Sequence, residues 1–268
     1  MWRKVLLREM VNNRVSFLII LSFILAIIIS QTIIGTPRHY DIMEKGNKSY
    51  REGEYEKAIG EYNKLVSEGY LGTSLFYNLG NSYYRIGKIG LAILYYERAL
   101  KISPSDEDIK HNLNFAQLST VDRIQPLPKF FLFELWEGIL GSLTENGWAY
   151  IVFIFYLLAI ILVGSYFFAR SIRQQKLILF SGLTALLMLA ISISLLVVKI
   201  NREATVKSGV IVEQFVTVKT SPDPKSTDAF VIHEGLKVNL EDKLDEWVKV
   251  RLADGKVGWI ENNYVEQI

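Results

Sequence analysis

Asparagine and arginine recur as a pair at a fixed spacing in the first third of the chain. Asn47 and Arg51 lie four residues apart, and Asn81 and Arg85 repeat the pair 34 residues later. Residues four apart share one face of a helix. An asparagine amide can both donate to and accept from a peptide backbone, and a guanidinium can bind a carboxylate through two hydrogen bonds. The pattern predicts a peptide-binding surface. The alternative, a consensus asparagine beside a solvated arginine, is equally open.

The recurrence includes small and aromatic residues. Gly46, Tyr50, Gly53, Ala58 and Tyr62 return 34 residues later as Gly80, Tyr84, Gly87, Ala92 and Tyr96. Residues 39–118 therefore resemble the tetratricopeptide repeat, a helix-turn-helix unit of this period. Pro104 ends the second copy, and acidic residues at positions 106–108 favour the start of a single capping helix over 105–118.

Stacked repeats of this family form a grooved binding surface. The resemblance implies that the first helix of each unit lines the groove. On that basis the predicted partner-binding residues are Asn47, Tyr50, Arg51, Tyr77, Asn81, Tyr84, Arg85 and His111.

Residues that commonly carry catalysis or bind metals are scarce. The chain has no cysteine, and its three histidines, His39, His111 and His233, lie in different segments. None belongs to a metal-binding motif, and no phosphate-binding glycine loop is present. The formal net charge of +2 gives no sign of a nucleic-acid surface. We predict a binding protein that is not an enzyme, with no cofactor, no metal and no catalytic residue.

Three uncharged apolar runs, at residues 15–35, 148–168 and 177–198, are long enough to cross a membrane as helices. The first run is either an uncleaved anchor or a signal peptide. The anchor is favoured because, for cleavage after Ser30, the −3 position that needs a small residue is occupied by Ile28. No run contains an ionisable residue, which argues against a transporter.

The charges beside these runs predict the orientation of the chain. Basic residues fill the tail 1–14 and the short link 169–176. Lysine and arginine concentrate on the cytoplasmic side of membranes. Both segments are therefore predicted inside. Residues 36–147 and 199–268 are predicted outside, in the periplasm of a Gram-negative cell.

Residues 119–147 link the repeats to the second run. Pro126 and Pro128 predict extended backbone before them. A stretch dense in phenylalanine, leucine and tryptophan follows, with Glu134 and Glu137 as its only acids. This pattern is typical of an amphipathic helix in the membrane headgroup region. A helix packed under the repeats fits equally well.

From residue 205 onwards the pattern changes to short segments rich in β-branched residues. Strands are predicted at 210–219, 230–232, 236–240 and 246–252, with Asp254-Gly255 as a hairpin turn.

Residues 205–268 resemble the bacterial SH3-like domain. The similarity rests on Trp247 at the start of one strand, the Asp254-Gly255 turn and Gly258-Trp259 after it. It implies a small β-barrel whose aromatic groove can bind peptide or cell-wall glycan, with Trp247 and Trp259 as candidates. The residues themselves favour burial of both tryptophans, because a small barrel has few other large side chains for its core.

The order of these parts is more specific than any single part. A membrane segment, two repeats, a proline-bounded link, two apolar runs and an SH3-like domain follow one another as in the BatE family of aerotolerance-operon proteins. Stretches 108–116 and 121–124 agree with that family as well. The resemblance implies a multi-pass inner-membrane protein that works with von Willebrand-factor-A membrane proteins and a MoxR-type ATPase under oxidative or envelope stress.

The sequence thus predicts a multidomain membrane protein with all-α tetratricopeptide helix pairs, transmembrane α-helices and a small all-β SH3-like barrel. Its predicted function is that of a scaffold that binds protein partners through a periplasmic groove. One alternative is a cell-wall sensor that binds peptidoglycan through the SH3-like domain. A third, weaker one is an accessory subunit of a peptidase complex.

Overall fold

The computed structural model describes residues 37–128 and 130–268. The predicted tail 1–14 and the first apolar run, residues 15–35, lie outside these ranges. Within them, five helices lead into an extended linker, which is followed by three more helices and a sheet.

The first five helices form two helix-turn-helix pairs and one final helix. Gly53 and Gly87 connect the helices of each pair with φ angles of +80° and +77°, a conformation that glycine adopts without steric cost. The Asp106 side chain accepts hydrogen bonds from the backbone of Asp108 and Ile109 and so begins the final helix, as predicted. The helices are α1 (Pro37–Arg51), α2 (Tyr55–Ser67), α3 (Thr73–Arg85), α4 (Ile89–Ile102) and α5 (Glu107–Gln117).

Close contacts within each pair explain the recurring small residues. Ala58 and Ala92 are both fully buried. A Cβ atom on Gly80 would lie 2.6 Å from the ring of Tyr96. The equivalent atom on Gly46 would overlap the ring of its own tyrosine, Tyr62. Each large ring thus packs over a position that only glycine can occupy.

The linker after α5 is extended, as its prolines predict. It runs along the C-terminal sheet: the Leu127 N–H donates to the Ala253 carbonyl at 3.2 Å, and Ile124 packs on the sheet core. The linker ends at α6 (Phe131–Gly141), a helix within the stretch where the sequence predicts one.

Helices α7 (Glu145–Phe168) and α8 (Ile172–Thr205) pack against each other as a hairpin. Both are long and apolar enough to cross a membrane, and only 6% and 17% of their most apolar stretches is buried. The small residues Ala159, Ala185 and Ser192 are buried in the hairpin, where small side chains permit close helix approach. The predicted link 169–176 is too long, because Ser171 accepts from the Gln174 N–H and begins α8 there.

The C-terminal region is an antiparallel sheet in the order β3-β2-β6-β5-β4-β1-β7. The predicted barrel is not closed, because β3 and β7 remain the unpaired edges of an open sheet. The predicted strand 210–219 is also wrong, because the chain turns at 212–214 to pass from β1 to β2. The strands are β1 (Lys207–Ile211), β2 (Phe215–Lys219), β3 (Asp228–His233), β4 (Lys237–Leu244), β5 (Trp247–Arg251), β6 (Val257–Glu261) and β7 (Val265–Gln267).

The core of the sheet excludes both tryptophans, contrary to the expectation that they are buried. Val248 and Val250 of β5 are buried, and so is Ile260 of β6. Successive side chains of a strand point to opposite faces, so Trp247 and Trp259 lie on the outer face, half-buried. β-Branched residues fill the inside in their place.

The sheet docks on the outer side of α4, a contact that the sequence did not predict. A Cβ atom on Gly90 would lie 2.7 Å from the carbonyl oxygen of Ile211, so only glycine permits this approach. Val210 of β1 belongs to the hydrophobic core of the helix pairs. Polar contacts reinforce the junction: Lys237 pairs with Glu97 at 2.7 Å, and the Arg98 guanidinium donates to the Gln267 carbonyl at 2.6 Å.

A second junction joins the linker to the sheet. The Asp122 carboxylate accepts from the backbone N–H of His233 at 2.6 Å, and its other oxygen lies 2.9 Å from the His233 ring nitrogen Nδ1. The repeats and the sheet therefore form one head. The head lies at the end of the hairpin where α7 begins and α8 ends.

Candidate protein-binding groove

A pocket of about 360 Å³ opens on the groove side of the helix pairs. We call it the groove pocket. Residues of α1, α3, α4 and α5 form its walls, and no residue of the sheet contributes. The docked sheet therefore leaves this side open. Its lining residues are Tyr50, Tyr77, Asn81, Tyr84, Arg85, Tyr96, Asn112 and Phe115.

Five of the eight predicted partner-binding residues line the groove pocket: Tyr50, Tyr77, Asn81, Tyr84 and Arg85. Asn47, Arg51 and His111 do not. The predicted set therefore shares five residues with the lining of the groove pocket.

Asn47 joins the first repeat to the second. Its side-chain oxygen accepts from the Tyr62 hydroxyl and from the Asn78 side-chain amide, both at 2.9 Å. This oxygen therefore stabilises the stack of helices.

The same arrangement recurs one repeat later. The Asn81 side-chain oxygen accepts from the Tyr96 hydroxyl at 2.7 Å and from the Asn112 amide at 2.9 Å. Asn112 also donates to the Tyr77 hydroxyl at 2.9 Å. These bonds hold the floor of the groove pocket in a fixed shape before any partner arrives.

Burial keeps the buried tyrosine hydroxyls protonated. It raises the pKa of Tyr62 to about 12, and it raises the pKa of Tyr96 in the same direction. Both hydroxyls therefore act as donors to their asparagines at neutral pH.

The two recurring arginines have different surroundings. Arg51 donates to the Glu44 carboxylate at 2.8 Å, and this bond lowers the pKa of Glu44. Among the residues that the structure describes, no carboxylate pairs with Arg85. A hydrogen bond with Tyr50 raises the pKa of Arg85. The groove pocket thus carries one guanidinium without an acidic partner at its rim.

Helix α5 contributes two residues that the sequence analysis missed. Asn112 and Phe115 line the groove pocket, and the Phe115 ring packs edge-on to Tyr84 with centroids 5.9 Å apart. His111, the residue predicted on this helix, is exposed outside the pocket. Extension of the 34-residue period to α5 would have identified Asn112, which follows Asn78 at that distance.

A second pocket, of about 390 Å³, lies on the outer face of the sheet. We call it the sheet pocket. Trp247, exposed Phe215, Tyr264 and Pro224 give it apolar walls, and Glu213, Lys219 and Glu261 lie around it. Trp259 shares this face of the sheet but does not line the sheet pocket.

Over residues 37–128 and 130–268, no group of three or more histidine, aspartate or glutamate side chains could hold a metal ion. What the groove pocket offers is shape, aromatic surface and one positive charge.

Comparison with known families agrees with the helical part of this geometry. The family model for the tetratricopeptide repeat matches residues 74–106, which span α3, α4 and the turn after them. The helical region therefore contains a tetratricopeptide repeat, a class that suggests interaction with other proteins. A comparison with curated proteins finds no match.

Proposed function

We propose that this protein is a membrane-anchored scaffold that binds a segment of a partner protein in the groove pocket. The observation that carries the proposal is a preformed aromatic pocket with an unneutralised guanidinium, Arg85, on a detected repeat. Tetratricopeptide repeats serve as stacked binding surfaces, which supports a protein as the partner.

The chemistry of the groove pocket describes the partner segment. Aromatic walls from Tyr50, Tyr84 and Phe115 suit an apolar or aromatic side chain, and Arg85 suits a carboxylate beside it. A volume of about 360 Å³ is at the small end of ligand sites, so one or two side chains enter rather than a domain. An acidic segment with a neighbouring apolar residue fits best.

The membrane part of the proposal rests on α7 and α8. Both helices are long and apolar enough to span a bilayer. The basic residues at the turn of the hairpin, Arg170, Arg173 and Lys176, and the head at its opposite end support a cytoplasmic turn and a periplasmic head. The resemblance to the BatE family suggests an inner-membrane complex with von Willebrand-factor-A proteins and a MoxR-type ATPase.

Labelling of single cysteines tests this orientation, since the chain has none of its own. Ser105→Cys and Ser226→Cys should react with an impermeant thiol reagent in cells with a permeabilised outer membrane, whereas Ser171→Cys should not. Labelling of Ser171→Cys but not of Ser226→Cys would show that the chain has the opposite orientation.

A second candidate function has one specific observation in its favour. Trp247 lies in the sheet pocket and not in the core, beside Phe215 and Tyr264. Aromatic faces of this kind suit a sugar ring or a peptide, so a cell-wall sensor that binds peptidoglycan through the sheet is the alternative. Binding of the full chain to purified peptidoglycan that is lost in Trp247→Ala would support it.

One crosslinking experiment separates the two functions. Phe115 and Phe215 are exposed phenylalanines, one in each pocket. A photoreactive phenylalanine analogue at position 115 should crosslink a partner protein in native membranes, and the analogue at 215 is the matched control. Crosslinks to a protein only from position 215 would contradict partner binding in the groove pocket and favour binding at the sheet pocket.

A further inference from the structure

Helix α6 presents a large apolar surface apart from both pockets. Phe131, Leu132, Leu135, Trp136 and Ile139 are all exposed. A helix packed under the repeats, the alternative that the sequence left open, would have buried these side chains. Exposed apolar surface of this extent marks a contact with another molecule or with a membrane.

The apolar residues of α6 form one continuous face. Leu132, Trp136 and Ile139 follow the i, i+4, i+7 spacing of a single helix side. The two acids, Glu134 and Glu137, lie on the opposite side. The helix is therefore amphipathic along its whole length.

The contacts of α6 determine its level along the hairpin. The Trp148 indole near the start of α7 is 3.5 Å from the Leu140 carbonyl oxygen, within hydrogen-bond distance. Glu137 pairs with Arg202 of α8 at 3.1 Å. Trp148 is the first residue of the apolar run of α7, and Arg202 lies just beyond the apolar run of α8.

These contacts place α6 at the boundary between apolar and charged surface. The uncharged run 177–198 has 22 residues, about 33 Å of helix at 1.5 Å per residue, close to the hydrocarbon thickness of about 30 Å. Lys199 and Arg202 are the first charged residues after it. A helix tied to Arg202 and Trp148 thus lies at headgroup depth when the hairpin spans a bilayer.

We propose that α6 lies in the lipid headgroup region of the membrane, with Leu132, Trp136 and Ile139 directed into the acyl boundary. The exposed apolar sides of α7 and α8 fit contact with lipid, and the apolar face of α6 is continuous with them. Its carboxylates remain on the water side, one of them paired with Arg202. This inference rests on the membrane anchoring in the proposed function.

Such a helix would hold the head at a fixed height above the bilayer. Both the extended linker to the repeats and the end of α8 that leads into β1 meet at α6 or beside it.

Spin labels on single cysteines test the position of α6 in the full chain, reconstituted in phosphatidylcholine–phosphatidylglycerol liposomes. Leu132→Cys is the probe, and Glu134→Cys, two residues away on the opposite side, is the matched control. Leu183→Cys in the middle of α8 reports the membrane span itself. Collision with oxygen, which enters lipid, and with a water-soluble nickel chelate gives the depth of each label.

We expect the label at 132 to lie about 5–10 Å into the headgroup and acyl boundary. Its oxygen-to-nickel collision ratio should exceed that at 134 several-fold. Equal exposure of 132 and 134 to nickel, with 183 still in lipid, would overturn the inference and leave the anchoring intact. Shielding of 132 from both reagents would identify a protein as the occupant and overturn it too. Exposure of the label at position 183 to the nickel chelate would contradict the membrane anchoring in the proposed function.

Discussion

The two helix pairs have the same internal hydrogen bonds but leave different charges on the groove. In the first copy Glu44 neutralises Arg51. In the second copy the residue at the position of Glu44 is Asn78, which donates to Asn47 instead. Arg85 therefore keeps its charge available, while Arg51 does not. The comparison teaches that residues repeated in both copies need not have the same surroundings, because one departure from the repeat, Glu44 against Asn78, changes the charge on the groove.

The copies differ in their neighbours as well. Helix α3 lies between α1 and α5, so the second copy has a wall on each side of its groove face. Asn112 and Phe115 of α5 complete the groove pocket there. Over the described residues no repeat precedes α1, so its groove face has a neighbouring wall on one side only.

A larger side chain in the core of a helix pair should have the largest effect on stability, and the loss should be similar in both copies. Ala58 and Ala92 are fully buried, so Ala58→Leu and Ala92→Leu should each cost about 1–3 kcal/mol of stability. Hydrogen exchange of the amides in α1–α5 of the full chain measures the loss. Ser74→Leu, at an exposed position of α3, is the control and should change little. An effect in only one copy would show that the two pairs are not equivalent.

Alkaline pH should weaken both pairs through their buried tyrosines. An unfolded tyrosine has a pKa of about 10, and burial raises the pKa of Tyr62 to about 12. The unfolded chain therefore releases this proton first. The stability from Tyr62 is complete below about pH 10 and is lost as the pH rises through about 12. Tyr96 should act in the same direction.

Removal of these hydroxyls tests that assignment. Tyr62→Phe and Tyr96→Phe should each lower stability at neutral pH by about 0.5–1.5 kcal/mol, because an asparagine loses a donor. Each should also reduce the alkaline dependence, followed by circular dichroism of the full chain between pH 8 and pH 12. Tyr40→Phe, at an exposed hydroxyl, should change neither. An unaltered alkaline transition in both buried variants would rule out these tyrosines as its cause.

Much of the fold could be predicted because its signals are local. The 34-residue period, the acids that begin α5, the two prolines of the linker and the Asp254-Gly255 turn each act within a few residues of their own position. Local propensity and repetition are strong evidence for such elements.

The rest depends on contacts between distant segments, which a single sequence does not record. Gly90 lies next to Ile211 only because the sheet docks on α4. The prediction that Trp247 is buried rested on the small size of the core. In the structure, the alternation along β5 places Val248 inside the core and Trp247 on the outer face. The difference between Arg51 and Arg85 depends on a single substitution, at the position shared by Glu44 and Asn78. That substitution was visible in the sequence, but its meaning depended on the side-chain geometry.

Charge reversal in the groove should have a smaller free-energy effect. It should show the difference between Arg51 and Arg85 directly in partner binding. Arg85→Glu should weaken binding of an acidic partner segment more than Arg51→Glu, because Glu44 already neutralises Arg51. One exposed ion pair contributes only about 0.2–1 kcal/mol, and reversal adds repulsion to that loss. The double reversal should abolish recovery of the partner from membranes, with hydrogen exchange of the repeats unchanged.

Salt dependence gives an independent measurement of the same interaction. Binding should weaken as salt rises, since exposed charges are screened beyond about 8–10 Å near physiological ionic strength. The Arg85→Glu variant should lose most of this dependence. Recovery of the partner that is insensitive both to salt and to the double reversal would move the site away from the groove, with the sheet pocket next in line.

The smallest effect should come from His111, the one predicted groove residue on α5. It stands 34 residues after Tyr77, the equivalent position in the second copy. Tyr77 lines the groove pocket because α5 follows α3, whereas over the described residues no further repeat follows α5 to build a wall beside His111. The imidazole is exposed, so His111→Ala should change partner binding and stability by less than about 0.5 kcal/mol.

Asn112→Ala, the neighbouring variant, removes the bonds to Tyr77 and Asn81 and should reduce both partner binding and stability measurably. Binding that is lost in His111→Ala but kept in Asn112→Ala would mean that the partner lies across the open end of the repeats and not in the groove pocket.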